Sequence, residues 1–232
     1  MSYSQKKNSS RIYVIVGLIV ALIVLSAALV YMVQPVPAKP GVPGVKVGDV
    51  FTYSIHSRST LGSEEAVEPD GFNQFNQTDY YKVAITDVED SVVSFTTTWR
   101  FINGTEIVNN EWVDLSFGNK TSDNTFWPIY ASNLKKGDLI RPLGADGLTV
   151  DYVETKPYAD ESRVRNGWSL QDVFFDTTDE TMTRQRTETN TVYFDKETGM
   201  LDILTNVQGY NSPQMNLVIT WQLIDSSVWK VK

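Results

Sequence analysis

Cysteine is absent from this 232-residue chain, and histidine occurs once, at position 56. Without thiols the fold uses neither disulfides nor a lipid-attachment cysteine. With a single imidazole, a tight structural zinc or a transition-metal site has almost no suitable ligands. There is no phosphate-cradling glycine loop and no Gly-x-Ser-x-Gly elbow, so the commonest sequence signs of nucleotide binding and of serine hydrolysis are missing. His56 closes a predicted strand ahead of Ser57 and Arg58, where a structural role is simpler than membership of a triad. No cofactor is expected.

Acids are also missing before residue 40, although Lys6, Lys7 and Arg11 lie there. Those cations precede a long apolar run, residues 12–33, from Ile12 to Val33, whose one small polar side chain is Ser26. As a helix it would be about 33 Å long, enough for a hydrocarbon core of about 30 Å. The sequence therefore predicts a cytoplasmic basic tail (1–11), a transmembrane helix (12–33) and, by the positive-inside rule, an extracytoplasmic remainder. A secretory signal cut after Ala28 is the rival reading, but Leu29, Val30, Tyr31, Met32 and Val33 extend the run beyond a signal core of about 7–15 residues. A pilin-type leader is a further alternative, without a convincing processing site after Lys7.

Prolines at 35, 37, 40 and 43, with Gly41 and Gly44, make residues 34–44 a semi-rigid spacer. Residues 45–232 suit one globular domain. From residue 40 onward there are 16 basic and 28 acidic side chains, a net of −12. Such a domain repels nucleic acid and anionic lipid, so nucleic acid is not an expected partner.

The pattern along the domain is mainly β. Val93, Phe95, Thr97, Trp99 and Phe101 alternate with Val92, Ser94, Thr96, Thr98 and Arg100, the period of a strand with one buried face. Tyr81, Val83 and Ile85 predict a strand before it, and Asn103-Gly104 a tight hairpin into a third strand over 105–115. A second meander is expected over 187–194, 200–208 and 214–224, where Met215, Leu217, Ile219, Trp221 and Leu223 form one apolar face. Further strands are expected at 49–57 and 148–154. Residues 126–136 read as a short helix, with Pro128 in its first turn and Gly137 ending it. Residues 157–186 are polar and irregular, with Leu170, Val173, Phe174 and Phe175 their only apolar cluster.

Three local patterns, VGDVFTYSI at 47–55, ASNLKKGDLI at 131–140 and YFDKETGML at 193–201, resemble those of uncharacterised archaeal membrane-anchored surface β proteins. The last is similar also to the aromatic-Asp-x-x-Thr-Gly hairpin of LolA- and LolB-like lipoprotein carriers. The resemblance implies a curved antiparallel sheet, a half-barrel whose concave face is covered by one or two short helices; a sandwich is the alternative. In LolA-like proteins that face shelters acyl chains. Here the lipid-attachment cysteine is lacking and the apolar helix is retained, which speaks against a shuttle between membranes.

Three readings of function remain. The leading one is a non-enzymatic, single-pass surface protein whose β domain binds a partner or an apolar, lipid-like ligand, with Phe95, Trp99, Ile219 and Trp221 as the candidate ligand face. The second is a structural envelope or pilus-like subunit. The third, a carboxylate-dependent glycan hydrolase, requires two carboxylates about 5–10 Å apart in a cleft. Asp176, Asp179 and Glu180 cluster without calcium-loop spacing, and Glu64 and Glu65 are adjacent in a polar loop, so solvated turns are the simpler reading of both. Trp99 and Trp221 sit on strand faces, whereas Trp127, Trp168 and Trp229 lie in less regular stretches where an exposed binding role is easier to place, although core packing is the simpler reading of them too. Asn76, Asn103 and Asn119 satisfy the glycosylation pattern.

Overall fold

The computed structural model describes residues 39–121, 126–178 and 183–232. The expected tail and transmembrane segment lie outside the described residues. Among the described residues no helix is long and apolar enough to cross a membrane.

The domain is a single antiparallel sheet of nine strands: β1 Val50–Leu61, β2 Thr78–Glu89, β3 Val92–Phe101, β4 Glu106–Asp114, β5 Tyr152–Pro157, β6 Ser162–Phe175, β7 Gln185–Asp195, β8 Leu201–Asn211 and β9 Gln214–Ser226. Their order is β4-β3-β2-β1-β9-β8-β7-β6-β5, so β4 and β5 are the outermost described strands and the sheet does not close into a barrel. Two meanders meet where the first strand pairs with the last, Ile55 opposite Trp221. Register shifts at Thr52/Tyr53, Ile85/Asp87 and Tyr193/Phe194 mark bulges, where an extra residue bends and twists a strand.

The period-two strands of both meanders form where the alternation places them, because only one phase buries the bulky set. Phe51, Tyr53, Ile55, Tyr81, Val83, Ile85, Val93 and Phe95 are buried on one face. The Asn103-Gly104 hairpin forms with a longer loop than the pair alone would give: Gly104 has φ +86°, and Phe101 donates its N–H to Thr105 O at 2.9 Å.

Two expectations are corrected. Residues 126–136 are not helical; they run irregularly beside the β7–β8 turn, with Tyr130 N–H on Gly199 O at 2.8 Å and Leu201 N–H on Pro128 O at 2.9 Å. Burial decides this, since Phe126, Trp127, Ile129, Tyr130, Ala131 and Leu134 are all buried, on more sides than one helix face offers. Among the described residues the helical element is a 3-10 segment, Phe72–Gln77. The second correction concerns the strand expected at 148–154, which forms later, as β5 over 152–157; residues 157–186, to which the pattern assigned no element, contain the longest described strand, β6.

The Gly-Asp dipeptides prove to be one turn used twice. Lys46 and Lys135 each donate N–H to the carboxylate three residues on, Asp49 at 2.8 Å and Asp138 at 2.7 Å, around glycines at φ +93° and +87°. In both turns the glycine N–H and the aspartate carbonyl also bond one residue of a neighbouring segment, Ile85 or Val150, each bond at 2.9 Å. The YFDKETGML stretch is a hairpin held by Asp195, whose Oδ1 accepts from Thr198 N–H at 2.8 Å, Thr198 Oγ1 at 2.8 Å and Glu197 N–H at 3.1 Å. Gly199 is obligatory here: its φ is +77°, and a Cβ would fall on the Tyr130 carbonyl oxygen.

Candidate functional site

The four residues of the expected ligand face divide by depth. Phe95 and Trp221 are buried, whereas Trp99 and Ile219 are half-buried. Their neighbours come from the chain itself. Phe126, delivered by the β4–β5 connector, stacks on Trp221 with ring centroids 4.2 Å apart, and Tyr81 meets both rings edge-on at 5.1 and 4.9 Å. Trp99 stacks on Phe75 of the 3-10 segment at 5.9 Å and donates its indole N–H to Thr78 Oγ1 at 2.8 Å. Beyond it, Phe72 and Ala66 pack on Met215 and Leu217 of β9. Offset and edge-on aromatic pairs add to area burial, so this closure is energetically self-sufficient. Burial pushes the Tyr81 hydroxyl up to about 12, and it raises Tyr53 and Tyr130 as well.

The same face changes character across the sheet. Ile219 stands opposite Asn206, which stands opposite Asn190; one row on, Leu217 is followed by Gln208, Glu188 and Asp172. Asn206 donates to Glu188 Oε1 and to Asn190 Oδ1, both at 2.8 Å, and accepts from Gln208 at 2.9 Å. Arg186 lies 3.3 Å from the other Glu188 oxygen and stacks 4.6 Å over Phe174. Asp172 and Glu188 are directly opposed carboxylates on β6 and β7, where Cβ atoms lie about 4.5–5.5 Å apart. Both Glu188 oxygens are engaged by the ladder.

Charges hold the β5–β8 side together. Asp202 is fully buried; it accepts from Lys156 Nζ at 2.9 and 3.0 Å, from Tyr158 at 2.8 Å and from Arg165. Asp195 takes Arg163 in a two-pronged pair at 2.8 and 3.0 Å, and that guanidinium lies 4.4 Å over the Trp229 ring. Burial and the Asp202 charge together raise the Tyr158 hydroxyl. Sequence reasoning missed this cluster because its members lie on β5, β6, β7 and β8, and no spacing brings them together.

The two edges differ. β5 carries Glu154, Lys156 and a terminal Pro157, the charges and proline that blunt an edge against pairing. β4 carries acids at Glu106, Glu111 and Asp114, but residues 107–110 between the first two are uncharged, with Ile107 and Val108 exposed, and Trp112 exposed further along. Its far end is partly covered, Trp112 and Thr121 exchanging hydrogen bonds, but no described strand lies beyond residues 106–111.

The other candidates of the sequence are dispersed. His56 is exposed on the outer face of β1. Glu64 and Glu65 are exposed in a turn; Asp176 accepts from Thr178 N–H at 2.9 Å, while Asp179 and Glu180 lie outside the described residues. Among the described residues no three side chains group as a metal site. Trp127, Trp168 and Trp229 are buried, as core packing requires, and Arg141 and Arg163 lie over two of the rings, Trp127 and Trp229, at 4.2 and 4.4 Å. Asn103 and Asn119 are exposed; Asn76 is exposed too, but its amide clamps Ser57 N–H and C=O at 2.8 and 2.9 Å.

No protein-family model matches the chain, and no curated protein matches it. Function is therefore read from the geometry.

Proposed function

We propose that this chain is a non-enzymatic, single-pass membrane protein whose β domain stands outside the membrane and binds a protein partner along the bare edge of β4. The observation that carries the reading is the contrast between an aromatic face closed by Phe126 and Phe75 and an edge left open at Ile107 and Val108. Strand addition at residues 107–109 would extend the ladder of that edge, and the exposed β-branched side chains would supply specificity. An apolar ligand would have to displace Phe126 from Trp221, which weighs against the lipid-sheltering version. The anchor rests on the apolar run and its preceding cations. One open sheet with a covered face suits a half-barrel better than a two-sheet sandwich.

Two experiments on the full chain in its native cells test this. A photo-crosslinking side chain at Val108 is expected to give a discrete heteromeric adduct that is lost in Ile107→Lys. Adducts only with further copies of the chain would move the protein to the structural-subunit reading, and no adduct would overturn edge binding. Protease added to intact cells is expected to digest the β domain; a shielded domain would overturn the topology.

A further inference from the structure

Where the chain joins the β domain, the junction is built rather than loose. Gly41 is buried, its N–H donates to Ser116 Oγ at 2.9 Å, and Ser132 N–H donates to Val42 O at 2.8 Å. A Cβ on Gly41 would stand 2.8 Å from Leu115 O, so only glycine lets the strap lie this close. The last residues of the Pro/Gly-rich spacer are thus part of the domain, and they fix where the tether leaves it.

Around that point the surface is apolar. Pro40, Val42, Pro43, Phe117 and Leu143 line a shallow depression, with Asp90, Ser91 and Ser116 at its polar side. Val42 is 61% exposed, Phe117 53% and Leu143 38%, and Val47 is 62% exposed. The charge there also departs from the acidic average of the domain. Lys39, Lys46, Lys135 and Lys136 are exposed beside the patch, while the carboxylates of Asp49 and Asp138 are turned onto the N–H groups of Lys46 and Lys135. The acids at this end are Asp90, which lines the depression, Glu89 before it, and Glu197, exposed on the turn whose backbone abuts Gly44 and paired with Arg163.

We propose that this end of the domain, Val42, Val47, Phe117 and Leu143 fringed by the four lysines, rests on the lipid bilayer surface. The inference depends on the reading of residues 12–33 as an anchor. Eight steps separate Val33 from Gly41, at most about 29 Å of extended chain, so the patch cannot leave the neighbourhood of the headgroups. Tethering of this kind makes docking intramolecular, and a modest contact suffices. Apolar side chains entering the headgroup boundary, with lysines beside them, are the chemistry of interfacial binding. The same lysines attract anionic headgroups that the rest of the domain repels.

Because the chain has no cysteine, single-site labelling is direct. The full chain is reconstituted in phosphatidylcholine/phosphatidylserine vesicles with a fluorophore on Phe117→Cys, on Leu143→Cys or, as the control at the other end of β6, on Val173→Cys. Headgroup-labelled quencher lipid is then titrated in. Quenching several-fold stronger at 117 and 143 than at 173 is expected, with a fall at 117 when Lys135→Glu and Lys136→Glu are added. Equal quenching at all three sites, in protein that stays with the vesicles through alkaline carbonate, would overturn the docking alone. Protein released by carbonate would overturn the anchor reading and the docking with it.

Discussion

The two sides of the sheet solve the same packing problem with different chemistry. Around β1, β2, β3 and β9 the covered face is aromatic and aliphatic, closed by Phe126, Phe75 and Phe72. Across β5 to β8 the chain buries Asp195, Asp202, Glu188 and Asn206, and satisfies them with Arg163, Arg165, Lys156 and a ladder of amides. An apolar face is stabilised by whatever apolar surface covers it. A buried carboxylate is tolerable only with its partners in place, so the second side trades stabilisation for a defined arrangement of β5 and β6. One apolar core runs beneath both sides, Trp168, Val192, Phe194 and Leu204 included, and the charged side adds to it the register of the outer strands.

High pH should break this division most severely. Tyr81 has its hydroxyl pushed from the ordinary 10.0 up to about 12 by burial, and Tyr53 and Tyr130 are raised in the same direction. A raised folded value means that the native state holds the proton longer than the unfolded chain does. The associated stability is therefore complete below pH 10 and lost as pH climbs through the raised values, by about 1.4 kcal/mol per unit for each group. Denaturant titrations are expected to give flat stability up to about pH 10, then a steep fall accompanied by tyrosinate absorbance. Tyrosinate appearing below that range, without unfolding, would contradict the closed face.

Phe126→Ala should come next, costing about 3–5 kcal/mol as a large buried aromatic removed from between Trp221 and Tyr81. Equilibrium urea unfolding measures it. Asp202→Asn keeps the shape but removes the charge that Lys156 and Arg165 face, and is expected to cost about 1.5–3 kcal/mol. Its distinguishing signature is local: amide exchange should quicken in β5 and β6 while β1 and β2 stay protected. Equal quickening on both sides would erase the division between them.

The strands of the aromatic side were legible because hydrophobicity alternates there with a period of two, as in Val93, Phe95, Trp99 and again in Leu217, Ile219, Trp221. β6 was not. Its outward residues include Arg163, Arg165 and Gln171, and its inward ones Asn166, Trp168, Leu170 and Asp172, so both faces mix polarity and no hydrophobic period survives. The segment at 126–134 misled for the opposite reason: it is apolar at nearly every position, which a short helix and a sandwiched irregular strap satisfy equally well. Of the expected ligand face, all four side chains do lie on the covered side of the sheet, but their covering came from Phe126 and Phe75, remote in sequence from the strands they close. The Gly-Asp turns were visible as dipeptides, and only their shared hydrogen-bond pattern revealed them as one device.

Local sequence was enough for the β class, the strands β1 to β4 and β7 to β9, the turn glycines and the absence of thiols, because these depend on neighbours in the chain. Only the folded arrangement made β1 join β9 into one open sheet, closed the aromatic face with the connector, and gave Asp195 and Asp202 their cations on β5 and β6. Those outcomes depend on which distant residues can bury or neutralise one another, and no local pattern encodes that distance.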